Sequence, residues 1–321
     1  MGEAKRRQLG IQTQALEAMV VDTPGGRIHV QWDHGASATP NAQLTFFAEF
    51  LAATVVYESW LSCCPLTYSS PNAPSKRDVL GTWLLAILSG HNRYAHITGL
   101  RNDAVSPQIL GMNKIISEDA LRRSVKTDLA LSRKSEDQQI ELLMPDKDVQ
   151  AWEYAVLVTS SAYPLEVFGQ LYRDRADCEN GFDELKNQWG WGGFTTQDIE
   201  RCQSSARAVA LVYNWWSWYC RAAQPGARME AITSRAPLLA GVGRAVKHAG
   251  QTTLYLTPMH AATDNLMALL ANIRAALSHV RAVAEQLPST DRWRAFLNYV
   301  VAKITRPLPP WIAQEQLMAT G

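Results

Sequence analysis

Tyr172, Arg175, Glu179 and Lys186 lie at offsets of 0, 3, 7 and 14 within the stretch LYRDRADCENGFDELKNQWGW. An α-helix turns about 100° per residue, which puts them near 0°, −60°, −20° and −40° on a helical wheel. One face thus gathers a phenol, two cations and a carboxylate: donors and an acceptor that could hold a charged substrate over a cleft. Beside it, Leu171, Cys178, Phe182, Leu185 and Trp189 form an apolar stripe centred near about −110°. The spacing predicts a helix over 165–188 that buries this stripe and presents the charged one. The plain alternative is a solvated charge stripe, since Glu and Lys are common on exposed helix faces.

Other elements must position that helix. The run EYAVLVT (153–159) reads as a buried strand. Residues 199–223 read as a very apolar helix, with Trp215, Trp216 and Trp218 in the core. Helices are also expected at 43–60, 77–88, 261–286 and 290–304, with a short strand at 252–257. Met19–Thr23 and Arg27–Asp33 flank Pro24-Gly25-Gly26, a hairpin signal. Residues 36–40 and 64–76 read as loops.

Ser106-Pro107 suggests a helix start with Ser as N-cap. Ser117 suggests another, with Glu118 and Asp119 in its first turn. Arg122, Arg123 and Lys126 follow on that second helix. The pair 106–126 has the outline of a helix-turn-helix that would place these cations on DNA. A helical pair with a solvated basic end is the alternative.

Composition narrows the classes. The chain has 321 residues, 47% of them hydrophobic, and a net charge of +1. That is enough apolar residue for a real core, and no global positive field draws it to nucleic acid. DNA contacts would rest on local cations. Cys63, Cys64, Cys178, Cys202 and Cys220 show no paired metal spacing, and His91, His96 and His260 are scattered. Reduced thiols and the lack of a visible signal peptide suggest a cytoplasmic protein. The apolar run Leu44–Val56 is too short and too polar to span a bilayer, so no membrane partner is expected.

The spacing Y-x2-R-x3-E-x6-K resembles the signature of a group of bacterial insertion-sequence transposases. These are DDE enzymes with a ribonuclease-H-like core. NQWGWGGFTTQDIERC, DVLGTWLLAILSGHNRYAHITGLRND and ISEDALRRSVK look similar to the same family, and the resemblance covers most of 20–305. It implies Mg²⁺-dependent strand cleavage and transfer at insertion-sequence ends. Two Mg²⁺ ions would be held by three carboxylates, of which Glu179 would be the third. Arg175 and Lys186 would contact phosphates, and Tyr172 would lie near the cleaved one. Trp191 would stack on an extruded base or pack in a turn. DNA terminal repeats would be the partner, and the resemblance is compatible with a homodimer.

The family's first two aspartates belong between the N-terminal helices and EYAVLVT. Here only about 26 residues separate Lys126 from Glu153. At about 3.3 Å per residue they supply one or two short strands, not three strands and a helix. Asp128, Asp137, Asp146 and Asp148 fall in this interval, and none follows a β-branched run. The expectation is an internal deletion that removed both catalytic aspartates. The enzyme would then cleave weakly or not at all, and a non-catalytic DNA-binding remnant or regulator is the alternative function.

The expected fold is mainly α with a small β component. The expected layout is a basic tail (1–15), then a hairpin and helical DNA-binding-like region (16–126). A truncated ribonuclease-H-like α/β core with C-terminal helices follows (127–305), then a Pro-rich tail (306–321).

Overall fold

In a computed structural model of the chain, the described residues are 19–30, 37–66, 72–125, 179–257, 263–284, 287–288 and 291–304. Tyr172, Arg175, Lys126, the four aspartates from Asp128 to Asp148 and the strand expected at 153–159 lie outside them. So do the two expected tails and the first part of the helix expected at 165–188.

The described fold is mainly α with two small antiparallel sheets. Strands β1 (Met19–Thr23) and β2 (Gly26–Val30) form the expected hairpin, with Thr23 opposite Gly26. Gly26 has φ 116°, a conformation that favours glycine.

A single helix over 43–60 is not what forms. The chain makes α1 (Leu44–Thr54) and α2 (Val56–Cys63), bent by 69° at Val55. Val55 has φ 61°, a strained left-handed conformation for a β-branched residue. Neither Gly nor Pro marks this break in the sequence.

Helix α3 (Lys76–Leu88) starts where Ser75 Oγ accepts from Asp78 N at 3.0 Å. Every residue from Asp78 to Leu88 is buried, so α3 runs through the core. Its polar positions hold the chain that follows. Asp78 Oδ1 accepts from Asn113 N at 2.7 Å, and Thr82 Oγ1 accepts from Ile116 N at 3.1 Å. A Cβ on Gly81 would lie 2.8 Å from Met112 Cγ, so glycine lets the 111–116 segment lie against α3.

After a 3-10 turn at Tyr94–His96 come α4 (Ile97–Leu100), α5 (Ser106–Ile109) and α6 (Glu118–Val125). Ser106 is not an N-cap. Val105 holds that position, and Asp103 Oδ1 accepts from both Val105 N and Ser106 N at 2.9 Å. Ser117 does cap the next helix, accepting from Ala120 N at 3.3 Å.

Helix α7 (179–188) is the described part of the helix bearing the polar stripe. Helix α8 (Ile199–Ala223) matches its expected bounds, and Asp198 Oδ1 caps its start. The sequence reading missed α9 (Ala231–Leu238) and strand β4 (Gly243–His248). Strand β5 (Gln251–Leu256) pairs with β4, and β4 pairs with β3 (Ser37–Thr39). That sheet ties the segment before α1 to the segment between α9 and α10.

Helices α10 (Thr263–Ala284) and α11 (Arg292–Ile304) complete the body. By length and composition α10 could cross a membrane, but Leu269, Ile273, Leu277 and Val280 are buried in the common core. That core is one cluster, from Leu44 to Val300. At its centre Phe47, Phe50, Trp216, Tyr219 and Phe296 meet with ring centroids 5.0 to 5.6 Å apart. Trp215 and Trp216 are buried as expected, while Trp218 is half-buried.

Candidate nucleic-acid interface

Helix α7 exposes Glu179, Phe182, Asp183 and Lys186 and buries Glu184 and Leu185. Glu179 and Lys186 therefore share an outward face. The buried side is rotated from the expectation. Leu185 and Trp189 are inside, but Phe182 is 51% exposed and a carboxylate, Glu184, is 3% exposed. On the wheel Glu184 falls near about 120°, roughly opposite the polar stripe.

Glu184 is buried because three donors meet it. Oε1 accepts from Trp189 Nε1 at 3.0 Å and from Ala231 N at 2.9 Å, and Oε2 accepts from Arg228 at 2.8 Å. Gln188 extends the contact, accepting from Ile232 N at 2.8 Å and donating to Glu230 at 2.7 Å. Two orphan N–H groups in the first turn of α9 are thus satisfied by α7 side chains. Arg235 lies 4.4 Å above the Trp189 ring and donates to Gln188 O at 2.8 Å. Burial lowers its guanidinium to about 10, with Glu184 acting the other way, and it stays charged at neutral pH.

The run WGWGGF is a tight turn that fixes the end of α7. Gly190 has φ 67°, and Phe194 N donates to Asn92 O at 2.7 Å. A Cβ on Gly193 would collide with that same carbonyl oxygen. Trp189 and Phe194 are core residues. Trp191 is half-buried, its ring 5.9 Å from Phe182 at 32°. That aromatic pair borders the exposed face of α7. His91, beside the turn, has a buried Nδ1 without a hydrogen-bond partner among the described residues. Burial holds its imidazole below the ordinary value, helped by His96 and Arg235.

Arg122 and Arg123 are exposed on α6, whose Leu121, Ser124 and Val125 face inward. Asp119 pairs with Arg122 at 2.8 Å, and its carbonyl accepts from Arg123 Nε at 3.2 Å. The helix before the turn, α5, is a single turn long. Arg122 also lines an open cleft of about 420 Å³ with Tyr94, Thr196, Asp198 and Arg201, where α6 meets the start of α8. In that cleft Arg201 pairs with Asp198 at 3.3 Å.

The structure thus brings Glu179 and Lys186 together on α7 and sets Trp191 against Phe182 beside them. It brings Arg122 to the start of α8. Glu184, Gln188, Arg235 and Asp183 were missed in the sequence. Asp183 lies near about 20° on the wheel, on the same stripe as Glu179, where its Oδ1 accepts from Asn187 at 2.8 Å. Among the described residues, Glu179 and Asp183 are the carboxylates exposed on this helix, and no three His, Cys, Asp or Glu side chains cluster as metal ligands. Two hard cations need more oxygen donors than these, so the described residues by themselves do not fit a two-ion centre.

The family described as the transposase DDE domain matches residues 88–215, a span that includes Glu179, Lys186 and Trp191. That match supports a DDE transposase. No curated protein and no solved structure matches the chain.

Proposed function

We propose that this chain is a DDE-type transposase by descent, with the ends of an insertion sequence as its DNA partner and with strand cleavage impaired. The observation that carries the reading is the α7 face inside the matched span. Glu179 and Lys186 point outward, while Glu184 and Gln188 fasten the opposite side of the helix to α9. A phosphate-contacting face needs this kind of support, because a loosely held cation loses its geometry.

In this reading Lys186 and Arg175 take phosphates, Tyr172 sits near the scissile position, and Trp191 with Phe182 offers an aromatic surface to a base. Arg122, Arg123 and Lys126 add contacts along the backbone. Glu179 keeps the place of the third carboxylate, and Mg²⁺, where bound, would polarise a phosphodiester. The interval between Lys126 and Glu153 is too short for the strands that carry the family's first two aspartates. One carboxylate of that set does not hold two Mg²⁺ against water. Binding then outlives chemistry, and a regulator that occupies element ends is the second reading.

The test is a gel shift on duplexes carrying any inverted repeats that flank the gene. Preferred binding of those ends over random duplex, weakened by Lys186→Ala, supports the proposal. Equal binding of ends and random duplex, unchanged by Lys186→Ala, removes it.

A further inference from the structure

Strands β4 and β5 form a two-stranded ribbon closed by Ala249 and Gly250, with φ of 47° and 80°. Positive φ at both turn positions matches the twist of a hairpin and makes the tip a defined structure. Strand β3 pairs with β4 only from Gly243 to Ala245. Beyond that base, Lys247, His248, Gln251, Thr252 and Thr253 are exposed. Register places Arg244 opposite Tyr255 on one face, where the guanidinium lies 5.7 Å from the ring centroid and the tyrosine is 57% exposed.

The charge on this ribbon has one sign. From Ala231 to Thr263 the sequence holds no Asp or Glu, in a chain with 30 acidic residues among 321. Arg244 and Lys247 therefore face solvent with no carboxylate on their own strands. Six residues per strand give a ribbon roughly 20 Å long. A two-stranded ribbon fits the major groove of B-DNA, about 12 Å wide.

We infer that the β4–β5 ribbon is a second DNA-contacting element, set edge-on in the major groove so that its two faces meet opposite phosphate walls, with Arg244 on one face and Lys247 on the other. Thr252 stands opposite Lys247 on its face, Gln251 and Thr253 share the other face with Arg244, and Tyr255 holds the Arg244 guanidinium in place. Strand addition by a second copy would use the outer edge of β5, but it gives no role to the exposed Arg244 and Lys247. The inference rests on the reading of DNA as partner, and it assigns contacts to a surface remote in sequence from the α7 signature.

The test is fluorescence anisotropy of a labelled 30-base-pair duplex of random sequence, titrated with the full chain across a salt series. For the double substitution Arg244→Ala with Lys247→Ala we expect dissociation constants to rise roughly tenfold. The slope of log affinity against log salt should shrink by about 2. Lys247→Gln alone, at the exposed tip, should shrink the slope by about 1 while leaving the circular dichroism spectrum intact. If the wild type binds and both variants bind with unchanged affinity and slope, the ribbon proposal fails and the α7 reading stands. If the wild type binds no random duplex, the ribbon proposal fails, while the α7 reading is decided separately by the gel shift on element ends. If the double substitution abolishes a dimer and leaves DNA affinity unchanged, the ribbon is a copy-to-copy surface and the proposal is overturned.

Discussion

At the scale of single residues, two neighbours on α7 have opposite roles. Glu184 is buried with three donors aimed at it, and Glu184→Ala strands Arg228 and the Trp189 indole. Breaking such a set costs about 3–5 kcal/mol, so urea denaturation should show a loss of that order. Lys186 is exposed, and Lys186→Ala should stay within about 0.5 kcal/mol of the wild type. His91 adds a pH dependence. Its folded value lies below the ordinary 6.5 because of burial, with His96 and Arg235 contributing. Below pH 6.5 the unfolded chain therefore takes up a proton that the folded chain resists. Stability should be full above that pH and fall as the pH drops towards the folded value. His91→Gln should flatten this limb in melting temperature against pH. Equal acid sensitivity in both proteins would contradict the assignment.

At the scale of elements, the WGWGGF turn fastens the end of α7 to the chain at Asn92. Gly193→Ala would drive a Cβ into the Asn92 carbonyl. Hydrogen exchange should then show faster exchange in α7 and residues 189–194, with α3 and α8 still protected. Uniform loss across all helices would show that the turn is not a separate fastening. Val55 supplies a backbone prediction. Its left-handed φ costs about 1–2 kcal/mol for an L-residue, and glycine removes that cost while adding unfolded-state entropy. Val55→Gly should be neutral or stabilising by up to about 1 kcal/mol in thermal melts. Helices α3, α8, α10 and α11 were legible because caps and apolar periodicity are local signals. The break at Val55 was not, because it carries no Gly or Pro. Helix α9 was hidden by Pro237 inside it, and β4 by its flanking glycines. Glu184 was hidden for another reason: its partners Arg228 and Ala231 lie more than forty residues away along the chain.

At the scale of the molecule, one hydrophobic cluster joins helices from both ends of the chain, and β3 pairs with β4 across some two hundred residues of sequence. The outward stripe of α7 was legible through Glu179 and Lys186, because helical geometry alone decides which residues share a face. The identity of the buried side was not, since it depends on α9. This body presents α7, the cleft beside Arg122 and the β4–β5 ribbon as polar surfaces. The central claim is that it holds DNA without cutting it. The most direct measurement is a nicking assay on supercoiled plasmid carrying the element's ends, with Mg²⁺ or Mn²⁺, comparing wild type with Glu179→Gln. Both proteins are expected to retard the plasmid, and neither to nick it above the protein-free control. Metal-dependent nicking by the wild type that Glu179→Gln abolishes would contradict that claim.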